Sequence, residues 1–226
     1  MNLEFIVILE IIILSVLGFF YSKYMKNKKI IDIFPRFFQE MYNNTSSGMS
    51  LIESVRKSKE ADYGNLTPLI RNMCLQVEWG VPLYLSLRSL GNKINNQFVK
   101  KIIILTEKAS EFSPDIGKSM KEINEYIYLS KKLELKRKTE LFPQLISFYL
   151  IFCVFLFIIF IIFNLFIPSF SLLSVGAYRT IFTHFILIES VLSGIVIGKI
   201  TDDSFTAGLK HMIILLSISL VFLYLL

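Results

Sequence analysis

Residues 22–142 hold most of the charge of this chain, with one apolar segment before them and a run of apolar segments after them. The stretch 141–178 contains no Asp, Glu, Lys or Arg at all. A sequence partitioned in this way divides itself between water and lipid. The hydrophobic share of 54% and the mean hydropathy of +0.58 also stand above those of a soluble domain. The chain reads as an integral membrane protein.

The apolar segments set the number of spans. Residues 1–21 lack the basic start and small-residue cleavage site of a secretory signal and carry Glu4 and Glu10 instead, so they read as a retained anchor. Residues 141–178 exceed the roughly 20 that span a bilayer, and Pro168 marks the expected break, which leaves a helix over 143–167. Residues 181–200 and 209–226 approach the span length. The expectation is one N-terminal and three C-terminal transmembrane helices around a six-helix bundle, an all-α architecture.

Orientation follows from the cations, since cytoplasmic flanks accumulate Lys and Arg. Of 24 such residues, 21 lie between positions 23 and 138. Lys23, Lys26, Lys28 and Lys29 follow the first span, and Lys131, Lys132, Lys136, Arg137 and Lys138 precede the second. The block 22–142 is therefore expected in the cytoplasm, with both termini outside and the loop 201–207 inside. Its 13 acidic residues leave a basic surplus, which anionic lipid headgroups or an acidic protein partner would feel. Nucleic acid is not an expected partner, because no aromatic stacking motif or finger spacing accompanies the charge.

Within the block, apolar residues recur at helical spacing: Leu69, Ile70, Met73, Cys74 and Val77; Phe98, Ile102, Leu105 and Ala109; Ile116, Met120, Ile123 and Ile127. Pro68, Pro82 and Pro114 stand where a first helical turn accepts proline, with Thr67 and Ser113 as candidate N-caps. Six helices are expected, starting near Asp32, Ser50, Thr67, Pro82, Asn95 and Pro114. The segments 48–55 and 80–87 match at a spacing of 32 residues, and Pro114 lies another 32 after Pro82. Each copy is a glycine, a cap or proline, and apolar residues that join two helices, so stacked helical hairpins are expected. Gly48 and Gly80 are assigned the positive φ of a tight C-terminal cap. Pro143 is expected to weaken or kink the passage into the second span.

Catalytic constellations are nearly absent. His184 and His211 have no Cys, Asp or Glu at metal-ligand spacing, and Cys74 and Cys153 lie on opposite sides of the water boundary, so neither a metal nor a disulfide is expected. Gly117-Lys118-Ser119 imitates the end of a phosphate loop, but Phe112 stands where that motif needs glycine. Asp202 and Asp203 are neighbours in one loop, which excludes a pair of aspartates brought from separate helices. The Asn43 and Asn65 sequons fall in the cytoplasmic block, where no glycan is added. No enzyme and no cofactor are expected.

Two ionisable residues fall in the middle of predicted spans, Glu10 and Glu189, where a carboxyl is costly and should face protein or water. Either receives a cationic partner or is a protonated carboxyl bonded between helices. Ser190, Gly194 and Gly198 form a small-residue stripe that admits close backbone approach, within the chain or between copies.

The order of motifs resembles the type II secretion F family, the platform proteins of secretion systems, type IV pili and the archaeal flagellum. The resemblance rests on Phe34-Pro35, on Ser47-Gly48-Met49-Ser50-Leu51, on Tyr63-Gly64-Asn65-Leu66 and on Val77-Glu78-Trp79-Gly80-Val81-Pro82-Leu83. It continues through Glu107-Lys108-Ala109, where Phe112-Ser113 replace the family's common glycine pair. The tail, Gly176-Ala177-Tyr178-Arg179 with Gly194, Gly198-Lys199 and Gly208-Leu209-Lys210-His211, is most similar to the archaeal, single-block branch. The resemblance implies a non-enzymatic platform on which a hexameric secretion ATPase docks to drive extraction of pilin-like subunits. It also implies pairing as a homodimer or with a second F-family subunit, since double-length members carry two such blocks. Lys131, Lys132, Lys136, Arg137 and Lys138 are the residues assigned to the ATPase, or to membrane lipid. The alternative is a transporter or channel subunit that uses Glu10 and Glu189 as a polar pathway.

Overall fold

The computed structural model describes residues 3–166, 175–202 and 204–225, apart from the side chains of residues 3–10, 175, 177 and 225. Every regular element among the described residues is helical: α1 (Leu3–Ser46), α2 (Leu51–Lys57), α3 (Thr67–Glu78), α4 (Leu83–Ile94), α5 (Gln97–Phe112), α6 (Ile116–Ile161), α7 (Val175–Asp202) and α8 (Gly208–Leu225). Short 3-10 turns at Ser58–Glu60 and Gly64–Leu66 join α2 to α3, and α6 ends in a π-helical turn, Ile162–Phe166. The break expected at Pro168 lies outside the described residues.

Local chemistry explains most of the boundaries. Ser50 and Glu53 form a capping box at α2: the Ser50 oxygen accepts from the Glu53 N–H at 3.2 Å, and the Glu53 carboxylate accepts from the Ser50 N–H at 3.0 Å. Asn96 caps α5 by accepting the Val99 N–H at 3.1 Å. Asn95, where a helix start was expected, instead closes α4 in the left-handed region at φ 49°. Two other expected caps are also displaced. Thr67 is the first residue of α3, where its hydroxyl accepts the Tyr63 N–H at 2.7 Å and donates to Asp62 at 2.9 Å. Ser113 ends α5, while the Asp115 carboxylate accepts the Lys118 N–H at 3.0 Å at the start of α6.

The expected helix start at Asp32 is corrected, because α1 runs through it and through Pro35. Residues 22–34 hold charge but no glycine or proline, so nothing there interrupts the backbone ladder. Likewise α6 runs through Pro143. A proline inside a helix removes one hydrogen bond but does not have to end the helix.

The chain forms two compact units, residues 1–24 with 135–226 and residues 25–134. In the second, α1 through α6 all supply a core that includes Phe34, Phe37, Phe38, Met41, Val55, Leu66, Ile70, Met73, Leu90, Ile102 and Met120. In the first, Phe152, Leu156 and Ile159 of α6 pack with Ile186 and Ile197 of α7 and Leu215 and Leu223 of α8. Among the described residues two helices are long and apolar enough to cross a membrane, Ile116–Phe166 and Tyr178–Asp202, while Gly208–Tyr224 is apolar but shorter.

Candidate functional site

In the apolar unit, the small-residue stripe sets how α7 meets α8. Ser190 is fully buried. A Cβ added at Gly194 would stand 2.6 Å from both Cα and N of Met212, and one added at Gly198 would overlap the Gly208 backbone. Gly208 in turn faces the Gly194 carbonyl, 2.7 Å from where its own Cβ would sit. These glycines bring two backbones together inside one chain, which corresponds to the first of the two uses read from the sequence.

The same unit ties the charged end of its long helix to that hairpin. The Arg137 guanidinium donates to the Ile200 carbonyl at 3.2 Å, and Lys138 pairs with Asp202 at 3.1 Å. Further along α6, Tyr149 shares a 2.8 Å hydrogen bond with His211 of α8, which is buried. Lys136 makes only a loose, exposed pair with Glu140 at 3.7 Å. Glu189 is half-buried and accepts from Ser193 of its own helix at 3.0 Å. The Glu10 side chain lies outside the described residues.

In the block, Lys131 bridges Asp32 and Glu134, each at 3.1 Å, and Lys132 is exposed. Gly48 and Gly80 have φ of 92° and 86°, the region an L side chain enters only under strain. Tyr63 is buried edge-on against Phe37, with ring centres 5.6 Å apart, and its hydroxyl donates to Glu40. Burial and that carboxylate push the phenol pKa well above its ordinary value. Cys74 is buried and donates to the Val55 carbonyl at 3.0 Å, and burial raises its thiol to about 11, which disfavours the thiolate. Glu107 is buried and held by two bonds from Arg88, at 2.7 and 3.1 Å, which join α4 to α5. Among the described residues no group of three or more His, Cys, Asp or Glu could hold a metal ion.

The geometry is that of helical hairpins built around conformation-setting glycines, followed by a long helix and a tightly packed apolar hairpin. The model of the family described as "Type II secretion system (T2SS), protein F" matches residues 37–163. The chain belongs to that family. The protein F match takes in most of the core of the block and the whole of α6. The chain is also similar to the uncharacterized protein MJ1286 of Methanocaldococcus jannaschii, at 23% identity over 187 residues. That alignment covers 81% of this chain but 31% of the relative, so the chain spans about a third of that protein's length. No solved structure matches.

Among the protein F motifs read from the sequence, Tyr63, Gly80 and Glu107 have structural tasks. The Arg88–Glu107 and Tyr149–His211 links escaped the sequence reading, because partners 19 and 62 residues apart leave no local signal.

Proposed function

We propose that this protein is a platform subunit of a type IV pilus-like or secretion machine in the cell membrane, coupling a cytoplasmic secretion ATPase to the extraction of pilin-like subunits and filament assembly. The family match over residues 37–163 carries this reading. The cation distribution supports a cytoplasmic block over 22–142 with both termini outside. Four spans complete the proposal, at 1–21, 143–167, 181–200 and 209–226. With a single block, the subunit pairs with a second copy or with another F-family chain.

Intramolecular partners narrow the expected ATPase contact. Arg137, Lys138 and Lys131 are engaged at Ile200, Asp202 and Asp32 respectively, which leaves Lys132 and Lys136 as the more available cations. The transporter alternative loses support at Glu189, whose carboxylate is bonded by Ser193 one turn along the same helix. The test is calorimetry of the full chain in lipid nanodiscs with the secretion-type ATPase of the same organism, at two salt concentrations. Saturable binding that weakens with salt and with Lys132→Glu/Lys136→Glu supports the proposal. A folded chain that does not bind overturns the ATPase contact.

A further inference from the structure

The block carries an open cleft of about 690 Å³ lined by Arg56, Lys57, Lys59, Glu60, Arg71 and Glu78. Four of the six are basic, and they come from α2, the turn after it, and α3. Lys59 is engaged by both carboxylate oxygens of Glu78, each at 3.0 Å, so this pair is electrically satisfied. Arg56, Lys57 and Arg71 are exposed, and no ion pair to them occurs among the described residues. The positive surplus of the cleft therefore lies on Arg56, Lys57 and Arg71, of which Arg56 and Arg71 also act at longer range on the Glu53 and Asp62 carboxylates.

An aromatic residue adjoins one of its lining residues in the chain. Trp79 directly follows Glu78, is the single tryptophan of the chain, and is 82% exposed. Its backbone is fixed by the end of α3: the Trp79 N–H donates to Leu75 at 3.0 Å, that of Gly80 to Val77 at 3.2 Å, and that of Val81 to Gln76 at 2.9 Å. Gly80, at φ 86°, makes this cap possible. By helical spacing Arg71, Leu75 and Trp79 share a face of α3, and Leu75 is 39% exposed. One isolated apolar residue on a surface needs no explanation. A tryptophan held by a rigid cap on the helix face that also carries Arg71 has the composition of a binding hot spot.

The geometry points to this cleft as the docking site of an acidic protein segment that carries a bulky apolar residue for Trp79. Its carboxylates would meet Arg56, Lys57 and Arg71, and its apolar side chain would cover Trp79 and Leu75. A flat anionic membrane fits less well, because the basic groups line a concavity. The inference does not depend on which protein carries the segment, so its failure would leave the platform reading untouched.

The single tryptophan supplies the readout. The full chain in nanodiscs is titrated with a synthetic peptide of glutamates punctuated by leucines, with the lysine counterpart as control, while Trp79 emission is recorded. The expected result is a saturable blue shift with the acidic peptide alone, weakening as salt rises. Arg56→Glu/Arg71→Glu should lower that affinity about tenfold, and Lys132→Glu should leave it within about twofold. Far-UV circular dichroism checks that the variants keep their helicity, and Arg56→Gln/Arg71→Gln gives a milder pair if the reversal does not fold. No shift with the acidic peptide, or a shift indifferent to both arginine pairs, overturns the proposal. A shift caused by replacing neutral nanodisc lipid with anionic lipid, without peptide, overturns it in favour of a membrane contact.

Discussion

Glycine does opposite work in the two units. In the block, Gly48 and Gly80 sit at positive φ with nothing within 4 Å of an added Cβ, so they are there for the backbone conformation. In the apolar unit, a Cβ on Gly194, Gly198 or Gly208 would run into a neighbouring backbone, so they are there for space. With the apolar unit in the membrane and the block in water, as proposed, the difference follows from the solvent. In water, burying Phe37, Met73, Leu90 and Ile102 stabilises the hairpins, and glycine is needed only where the chain turns. In lipid that drive is absent, and two helices gain by bringing their backbones close.

The largest test of this contrast is Phe37→Ala, which empties the centre of the block core. We expect a loss of about 4 kcal/mol, read by urea unfolding of the full chain in mild detergent. A loss below about 1 kcal/mol would mean that the block is not held by its core. Next comes Gly198→Ala, where one methyl meets the Gly208 backbone. The expected cost is about 3 kcal/mol in detergent-titrated unfolding, and a neutral result would show that α7 and α8 do not need their close approach.

Gly80→Ala should cost about 1–2 kcal/mol, with Gly80→Asn intermediate because asparagine tolerates the left-handed region better. If the alanine variants at 80 and 198 had equal effects, the contrast between conformation and space would collapse. The smallest effect is electrostatic. Hydrogen bonds from the Ser50 backbone and then its hydroxyl lower the Glu53 pKa below 4.5. A carboxylate lowered in the folded state stabilises the fold above the unfolded value and loses that contribution as pH falls through the folded one. The wild type should therefore be more stable than Glu53→Gln above about pH 5 and lose that margin as pH falls further, and a margin that does not change with pH would show that the capping box carries no such linkage.

Part of this fold was legible residue by residue. The helix start at Ser50, Pro68 in the first turn of α3, and the glycines at 48 and 80 act through neighbours within a few positions, so the sequence displays both the signal and its partner. Charge was a poorer guide to helix ends. The cations at 23–29 and 131–138 suggested where water begins, and both α1 and α6 continue straight through them, because Lys, Arg, Leu and Glu are all good helix formers. The cap expected at Ser113 is found two residues on at Asp115, since Ser and Asp both satisfy the pattern and only the backbone decides which faces the free N–H groups.

The candidate site was less legible than the fold. Five basic residues in 131–138 looked alike in sequence, yet Arg137 and Lys138 are engaged at the α7–α8 hairpin and Lys131 at Asp32. Trp79 stood inside a family motif, where its exposure, next in the chain to a residue that lines a basic cleft, could not be read.

The sequence alone determined that the chain is helical, that it divides into charged and apolar parts, and which glycines turn the backbone, because periodicity, polarity and conformational freedom are properties of a residue and its near neighbours. Only the tertiary structure decided that Gly194 and Gly198 seat α8 of the same chain, which cations are already paired, and that Arg88 meets Glu107 and Tyr149 meets His211. Those are contacts between distant positions, and such contacts exist only after packing has chosen which faces meet.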